Sequence, residues 1–372
     1  MKEFDTGLIA GRTQATGLSY QNHILKIKSW FWLAISSSDL PGTGFPEAGC
    51  YILATKNFAD FTFNKVGSAG TQAGNGCCVA YDSEADILHV VYTDGSSTVE
   101  YRACTPNNDG TVTWVSSAQR ISAVGSQLSG NIALDSEGYP WVIFFEVIGG
   151  ANELTVKKSS TKDGTWTTDD TVTKVVLTTA SDPSYFGGAV IAQTAGKMYF
   201  LFTNWHNTKL GGWQYDPATG WDVAAVTISS NNVSFDVYDA IADGDDILLA
   251  YTSVLSDVRY IKFTYGTGWG TETILEEGIS PQLVVSKTPS GSMIIVCGCT
   301  WTPGIAHRWL YKNSTWTTLA DVSITSTNPA YCSAPATVGG LFVMLFCDDS
   351  TFRVYVFAYG FNAKTAVVSS GL

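Results

Sequence analysis

Apolar and polar residues follow one another in a repeating order, which is most complete in the stretch 130–166. An alternating segment at 131–134 precedes a turn at 136–138 and an apolar run at 141–145, and a mixed segment at 154–159 precedes a second turn at 162–164. Period-two alternation and short apolar runs bounded by Gly, Asp and Ser predict strands joined by tight turns. The stretch therefore predicts a four-stranded meander. Such a small sheet cannot cover both of its faces, so it requires copies of itself to pack against.

The copies are present along the whole chain as apolar segments, each followed by a more polar one. The seven pairs are 24–35 with 50–55, 87–92 with 99–103, 141–145 with 154–159, 198–202 with 212–215, 247–251 with 258–265, 293–296 with 306–311, and 341–346 with 352–359. They recur every 46 to 58 residues or so, which is roughly the length of one propeller blade. The pattern predicts an all-β protein, a β-propeller of four-stranded antiparallel blades. Seven blades fit best, and six or eight stay open because the first and last repeats are the least regular.

The same pattern predicts the domain organisation. Residues 1–372 are expected to form a single propeller domain. Residues 1–20 are expected to close the ring, with the segment 6–20 adding a strand to the last blade, because closure removes exposed sheet edges.

Tryptophans recur where the fourth strand of a repeat is expected to begin. They follow a Gly, Asn or Thr turn in five repeats, as Trp114, Trp166, Trp221, Trp269 and Trp316. We expect these side chains to pack against their own blades rather than to bind a ligand.

The segment 157–166, Lys-Lys-Ser-Ser-Thr-Lys-Asp-Gly-Thr-Trp, resembles the Asp-box turn of the BNR propellers, the superfamily that contains the sialidases. That turn runs Ser-x-Asp-x-Gly-x-Thr-Trp, whereas Asp163 and Gly164 are adjacent here. The resemblance implies the propeller fold. It does not bring sialidase activity with it, because the chain has only six arginines and no Arg-Ile-Pro segment. Propeller lectins are also similar in repeat size and aromatic content, but they usually repeat one sugar site in every blade, and these blades diverge.

The composition restricts the classes of partner that this protein is expected to bind. Only 15% of the residues are charged, and the net charge is −12, which argues against binding nucleic acid or an anionic membrane. No apolar run is long enough to span a bilayer, so no membrane insertion is expected, and the N-terminus does not resemble a signal peptide. A surface rich in hydroxyls and amides favours an extracellular or virion-exposed protein, released by a route such as lysis.

The cysteine and histidine spacings predict no metal site and no cofactor. Two of the eight cysteines are adjacent, Cys77 and Cys78, and Cys297 and Cys299 have one residue between them. Zinc sites usually separate such ligands by two or more residues. We expect mainly buried thiols, with one or two disulfides still open.

Candidate binding residues lie in the loops between second and third strands, which gather on one face of a propeller and usually carry its ligands. Two of these regions place aromatic residues beside histidines, which suits stacking on sugar rings and bonding to their hydroxyls. This candidate saccharide site comprises Trp205, His206, Asn207, Trp301, His307 and Arg308. The alternative is that these side chains only pack loops together.

Three acidic residues follow apolar second strands and are candidates for the channel mouth: Asp94, Glu146 and Asp348. Hydrolysis of a glycoside requires two carboxylates that face one another, and a lyase would need a base such as His206 or His307. The first hypothesis is a non-enzymatic propeller for binding or assembly, displayed extracellularly or on a virus- or phage-like particle, that recognises a glycan or a protein partner. The alternative is a glycoside hydrolase or polysaccharide lyase with its site at the channel mouth. No residue is assigned a catalytic role at this stage.

Overall fold

The computed structural model describes residues 2–9, 21, 23–37, 44–68, 76–122, 130–148, 151–166, 174–177, 186–204, 210–229, 231–279, 281–287, 293–300, 304–324, 329–333, 341–348, 351 and 353–360. Within these ranges the backbone forms strands and turns and no helix. The strands make seven antiparallel sheets, which confirms the predicted seven-bladed β-propeller. None of the described residues belongs to a helix with the length and apolar character needed to cross a membrane.

Each of the first three blades has four strand positions, numbered from the innermost strand to the outermost. Blade 1 consists of β2 (Ile24–Ile27), β3 (Trp30–Ser37), β4 (Gly49–Thr55) and β5 (Thr62–Gly67). Blade 2 consists of β6 (Cys77–Asp82), β7 (Ile87–Thr93), β8 (Val99–Pro106), β9 (Val112–Trp114) and β10 (Gln119–Arg120). Blade 3 consists of β11 (Ile132–Leu134), β12 (Pro140–Ile148), β13 (Ala151–Lys158) and β14 (Lys174–Leu177).

The next three blades repeat this order. Blade 4 consists of β15 (Phe186–Ala192), β16 (Met198–Asn204), β17 (Gly211–Asp216), β18 (Gly220–Trp221) and β19 (Val226–Thr227). Blade 5 consists of β20 (Val233–Asp243), β21 (Asp246–Ser253), β22 (Val258–Thr264), β23 (Gly268–Trp269) and β24 (Thr273–Glu276). Blade 6 consists of β25 (Gln282–Lys287), β26 (Met293–Thr300), β27 (Ile305–Lys312) and β28 (Thr315–Ser323). In blades 2, 4 and 5 the outer strand is split into two short segments that both pair with the third strand.

Blade 7 joins the two ends of the described chain. It contains β29 (Pro329–Ser333), β30 (Leu341–Asp348) and β31 (Arg353–Gly360), and its outer strand is β1 (Lys2–Ile9). The pairing of β1 with β31 runs from Lys2 opposite Ala358 to Ile9 opposite Arg353. Blade 7 is therefore built from both N-terminal and C-terminal segments, and its third strand is covered.

The first repeat departs from the sequence pattern. The pattern predicts one strand across 24–35, and this prediction is wrong, because β2 and β3 form a hairpin in which Ile27 pairs with Trp30. Lys28 occupies the turn with φ of 56°. Apolar residues flank this turn, and its Lys-Ser pair is not a typical hairpin signal. The sequence pattern therefore gives no sign that the strand is interrupted there.

Successive residues of the second and third strands face opposite neighbours. In blade 5, Leu249 and Tyr251 pack with residues of blade 4, whereas Leu248 and Ala250 pack with residues of blade 6. Both faces of each blade are therefore buried, and the second strands become unbroken apolar runs for this reason.

The recurring tryptophans stabilise the joints between blades. Trp269 packs on Phe263 of its own blade, with ring centroids 5.4 Å apart, as predicted. It also donates its indole N–H to the Tyr199 hydroxyl of blade 4 at 2.8 Å. Trp221 also reaches the preceding blade, through an edge-to-face contact with Trp141 of blade 3 at 6.4 Å between ring centroids. Each side chain thus links its blade to the preceding one, which the sequence pattern did not indicate.

Seven of the eight cysteines are buried and form no disulfide among the described residues, namely Cys50, Cys77, Cys78, Cys104, Cys297, Cys299 and Cys347. This confirms the prediction of mainly buried thiols for these seven. Cys332 lies in β29, where the structure describes only the backbone.

The turns between first and second strands lie on one face of the ring, which we call the turn face. Polar contacts join neighbouring turns there: Lys28 with Asp86 at 2.8 Å, Lys197 with Asp245 at 2.8 Å, and Lys287 with Asp243 at 2.8 Å. The charged residues of this face are largely used to hold adjacent blades together.

Candidate functional site

The opposite face carries the loops between second and third strands, and we call it the loop face. Because strand direction alternates within a blade, the ends of the outer strands reach the same face. In each second strand, every other side chain faces the preceding blade. The third residue of this kind lies at the loop-face end of the blade and pairs with one residue of the third strand. We call these two residues the rim pair.

The rim pair differs in every blade. In blade order the pairs are Ile35 with Tyr51, Tyr92 with Glu100, Glu146 with Glu153, Phe202 with Gly211, Tyr251 with Arg259, Gly298 with His307, and Phe346 with Tyr355. Acidic, arginine or histidine side chains thus enter the joints before blades 2, 3, 5 and 6, each with different chemistry. A single binding site repeated in all blades is incompatible with this variation.

His307 is the centre of the rim cluster between blades 5 and 6. Its side chain is only 7% exposed, and its Nδ1 lies 3.1 Å from Asp321 Oδ1, two residues before the end of β28. The same nitrogen lies 3.9 Å from Glu276 Oε1, at the end of β24 in blade 5. Among the described residues, the buried Nδ1 has no partner with hydrogen-bond geometry. The imidazole is therefore buried beside two partly exposed acidic side chains, and its Nδ1 makes no aligned hydrogen bond to either.

Trp309 fixes the position of both His307 and Glu276. The His307 and Trp309 rings are stacked, with an interplanar angle of 12° and centroids 6.1 Å apart. The indole N–H of Trp309 donates to Glu276 Oε2 at 3.1 Å. One oxygen of Glu276 is held by Trp309, while the Glu276 side chain is 30% exposed and the Asp321 side chain is 48% exposed. The cluster therefore combines buried, well-packed rings with carboxylate acceptors that solvent or a ligand can reach.

His307 differs from the other two histidines that the structure describes. His23 and His89 are fully buried, and burial lowers the pKa of each to about 4. His23 Nδ1 lies 2.8 Å from the Ala34 carbonyl oxygen, and His89 Nδ1 lies 2.7 Å from the Tyr101 hydroxyl. Both are neutral core residues at physiological pH, whereas His307 lies next to exposed acidic groups.

The cluster between blades 4 and 5 centres on Arg259. Its Nη2 donates to Asp257 Oδ2 at 2.8 Å, and its Nη1 lies 3.8 Å from Glu272 Oε2. Asn231 donates its side-chain amide to the same Glu272 oxygen at 2.7 Å. These charged side chains are only 10 to 13% exposed, so they mostly satisfy one another.

The rim pair of blade 3 consists of two buried carboxylates, Glu146 and Glu153, 6% and 8% exposed. They are cross-strand partners, a relationship that places Cβ atoms about 5 Å apart. Lys157, on the same side of β13, lies 3.7 Å from Glu146 Oε1 and donates to the Ile121 carbonyl at 2.8 Å. Between these residues, the buried Thr155 hydroxyl has no hydrogen-bond partner within the described part of the chain.

Asp94 shapes its own loop. Its Oδ1 accepts hydrogen bonds from the backbone N–H groups of Ser96 and Thr98, both at 2.9 Å, and from the Thr98 hydroxyl at 2.8 Å. The Thr98 hydroxyl also lies 3.1 Å from Glu100 Oε1, and burial raises the pKa of Glu100. Asp94 therefore acts as a loop-capping residue, whatever else it contacts.

The predicted site residues are spread around the ring. Trp205, His206, Asn207 and Trp301 lie outside the described residues, as does the side chain of Asp348 at the end of β30. Arg308 follows His307 on β27 and so faces blade 7, where it donates to the Ala320 carbonyl. Asp94, Glu146 and Asp348 belong to blades 2, 3 and 7. Of the predicted residues, His307 lies in the most complete cluster.

The partners of His307 were not found from the sequence. Glu276 is the last residue of β24 in blade 5, and Asp321 lies two residues before the end of β28 in blade 6. Trp309 lies two residues beyond His307 inside an apolar strand. The one usable signal was position, because an acidic residue near the end of an outer strand reaches the loop face. Within the described residues, no group of three or more His, Cys, Asp or Glu side chains could hold a metal ion.

Comparison with known proteins identifies the fold and no family. The sequence matches no family model, and it matches no curated protein. Among solved structures, the BP39L lectin from Burkholderia pseudomallei has a TM-score of 0.61 at 11% identity, covering 91% of this chain and 94% of the lectin. The polysaccharide lyase Uly1 has a TM-score of 0.56 at 10% identity, covering 92% and 90%.

A third structure is similar to the same degree. The WD40 domain of Toxoplasma gondii coronin has a TM-score of 0.56 at 10% identity, covering 97% of this chain and 86% of that chain. A lectin, a lyase and a WD40 domain are thus about equally similar to this chain. The likeness establishes a propeller fold, and the chemistry has to be argued from the side chains.

Proposed function

We propose that this protein is a saccharide-binding propeller that acts without a chemical step, with its principal site at the His307 cluster between blades 5 and 6. The observation that carries the proposal is the His307 Nδ1 nitrogen, buried, without an aligned hydrogen-bond partner among the described residues, and flanked by the Asp321 and Glu276 carboxylates. Sugar hydroxyls both donate and accept hydrogen bonds, so one ligand can serve all three groups.

Rigidity favours binding at this cluster. The stacked His307 and Trp309 rings and the bond from Trp309 to Glu276 hold the groups before a ligand arrives, which lowers the entropic cost of association. Hydrogen bonds from hydroxyls to ionised carboxylates are stronger than bonds between neutral groups. The predicted aromatic residue Trp301, in the loop that connects β26 to β27, is proposed to stack on the ligand.

A glycan array with the purified protein tests the proposal, run beside reducing-end and unsaturated-product assays on the same sugars. We expect binding without product, weakened by about tenfold or more in His307→Ala and in Asp321→Ala, in line with the loss of one or two charge-assisted hydrogen bonds. Asp321 is 48% exposed, so its variant preserves the fold if the buried His307→Ala does not. The matched control is Glu84→Gln, an exposed acidic residue on the turn face, which should bind like the unchanged protein.

Product formation would overturn the non-enzymatic proposal. The second candidate is then a glycoside hydrolase, and it rests on Glu146 and Glu153, because a glycosidase uses a pair of carboxyl groups and these two residues are cross-strand partners. Turnover that is abolished in Glu153→Gln but retained in His307→Ala would select this candidate. If neither binding nor turnover is found for any sugar, a protein partner or an assembly role replaces both.

We also propose that the protein functions outside the cell or on a virus-like particle. The support is a sequence with few charges, rich in hydroxyl and amide side chains, and the proposed glycan ligand, which is most abundant on cell surfaces. Fractionation of the source culture, followed by immunodetection in particles, medium and cells, tests this. Detection only inside intact cells would exclude it.

A further inference from the structure

We infer that the His307 cluster selects saccharides that carry a protonated amine and disfavours anionic ones. The inference rests on the proposed function, since it specifies the ligand class of that site. It follows from two observations: carboxylates lie beside the imidazole, and the arginines nearby do not pair with them.

The cluster contains two acidic side chains and one imidazole. Among the described residues, the only ion-pair partner of both Glu276 and Asp321 is His307. Two carboxylates outnumber a single imidazole whatever its charge, so the site has a negative potential. Glu277 directly follows Glu276 in the sequence and is exposed.

The nearby arginines do not neutralise it. Arg308 lies on the other side of β27 and donates to the Ala320 carbonyl. Arg259, on the opposite side of blade 5, is held by Asp257 at 2.8 Å. Among the described residues, neither guanidinium forms an ion pair with Glu276 or Asp321. A uronate or sialate would therefore meet two carboxylates at this site, which is costly where the site is partly desolvated.

An ammonium group fits the geometry. Oxygens of both carboxylates lie within 4 Å of one nitrogen, His307 Nδ1, so they lie close enough together for a single cationic centre on their exposed side to contact both. An ammonium has three donors and no acceptor, which suits two carboxylate oxygens and a solvent molecule or backbone acceptor. Glu276 presents the oxygen that Trp309 does not hold.

Three β-1,4-linked tetrasaccharides isolate this effect, because they differ only in the group at C2: glucosamine, N-acetylglucosamine and glucose. Titration calorimetry at mildly acidic pH, where the amine is protonated, should show binding of the glucosamine oligomer about tenfold tighter than that of the glucose oligomer. An oligogalacturonate of the same length should bind most weakly. The preference for the amine should diminish with added salt.

Variants then locate the selectivity. In Asp321→Asn and Glu276→Gln the shape is kept and one charge is lost, so the ratio of glucosamine to glucose affinities should fall several-fold towards one. Glu84→Gln, on the turn face, should keep the ratio. A preference that survives both site variants would show that the amine is recognised elsewhere and would overturn the inference.

The outcomes separate this inference from the proposed function. Equal affinities for the three tetrasaccharides, or tighter binding of the galacturonate, would overturn amine selection while the saccharide site stands. Absence of binding to every sugar, on the array and in calorimetry, would overturn the proposed function itself, and the inference with it.

Discussion

The joint between blades 4 and 5 and the joint between blades 5 and 6 place polar groups at equivalent rim positions with opposite results. At the first, Arg259 is held between Asp257 and Glu272, and the side chains of all three are nearly buried. At the second, the buried His307 Nδ1 makes no aligned hydrogen bond among the described residues, and its acidic neighbours are 30% and 48% exposed. A polar cluster whose members satisfy one another stabilises the fold, whereas one that leaves donors and acceptors unused can bind a ligand.

The comparison also explains why the blades diverge. A rim position is packed against the preceding blade, so a charge placed there has to be matched by neighbouring groups or by a ligand. The charges are matched differently at each joint, with Thr98 and Glu100, with Lys157 and Glu146, or with Arg259 and its two acids. The His307 joint differs from the Arg259 joint because its acidic side chains are more exposed.

The largest expected effect is at the closed joint. Arg259→Ala leaves Asp257 and Glu272 without their cation in a mostly buried place, so we expect a loss of about 3 to 5 kcal/mol in the free energy of unfolding. Denaturant titration followed by tryptophan fluorescence measures this. Saccharide affinity of the folded fraction should be unchanged.

His307→Ala provides the contrast in the same experiment. It should cost clearly less stability than Arg259→Ala while weakening saccharide binding. If Arg259→Ala abolishes binding in protein that remains folded, or if the two variants lose equal stability, the division into a structural and a binding joint is wrong.

The second prediction concerns pH and the inner end of the joint between blades 5 and 6. Asp239, in the innermost strand of blade 5, accepts backbone N–H bonds from Ala240 at 2.8 Å and from Val285 of blade 6 at 2.7 Å. Burial raises the pKa of this carboxyl to about 8, in spite of those two bonds. The folded protein therefore holds a proton that the unfolded chain loses near pH 4.

The direction in which stability changes with pH follows from that difference in pKa. Between about pH 4 and about pH 8 the folded state binds more protons, so Asp239 makes stability fall as the pH rises, by on the order of 1 kcal/mol per pH unit. Above that range the slope vanishes and the destabilisation stays at its full value. Unfolding free energies measured across the range should show this slope in the unchanged protein and a shallower one in Asp239→Asn. Identical slopes in the two proteins would contradict the raised pKa.

The fold was largely predictable because both faces of every blade are buried. That constraint makes each second strand an apolar run with a fixed spacing, and this spacing gave seven blades. The hairpin at Lys28 and Ser29 was missed because its flanking residues, Ile27 and Trp30, are as apolar as the strands themselves. Burial determines which residues are apolar, but it does not indicate where a turn falls inside an apolar run.

The candidate site was predictable only in part. His307 could be proposed because a histidine near a loop is uncommon in this chain, which has four. Glu276 belongs to another blade, 31 residues earlier, and becomes a neighbour only when blades 5 and 6 pack. Periodicity along one chain gives the order of strands, but not which side chains meet across a joint, and the chemistry of this protein lies in those joints.

The third prediction tests the support beneath the open cluster. Trp309→Phe keeps an aromatic ring against His307 but removes the N–H that holds Glu276 at 3.1 Å. We expect a loss of about 1 kcal/mol in stability and a few-fold weaker saccharide binding, because Glu276 becomes free to rotate. Calorimetry beside thermal unfolding separates the two effects. Unchanged affinity would mean that the orientation of Glu276 does not matter for the ligand.

The smallest effect is expected in the loop face of blade 2, and it decides whether Asp94 is a loop cap or a ligand residue. Loops 94–98 and 253–257 have the same backbone hydrogen bonds, from Asp94 N to Thr98 O and from Ser253 N to Asp257 O. Both contain a serine with positive φ, Ser97 at 55° and Ser256 at 62°. In blade 5, Ser253 Oγ accepts from the N–H groups of the residues two and four positions later, at 3.2 and 3.3 Å, as the Asp94 carboxylate does in blade 2.

Blade 5 therefore supplies the matched control for blade 2. Asp94→Ala removes the cap and should cost about 1 kcal/mol, whereas Asp94→Ser should recover most of that stability because serine already serves this loop geometry. Thermal unfolding of the two variants measures the difference, and sugar binding should be the same in both. If Asp94→Ser is fully stable yet loses binding or turnover, the carboxylate contacts the ligand, and the functional surface extends from the joint of blades 5 and 6 to blade 2.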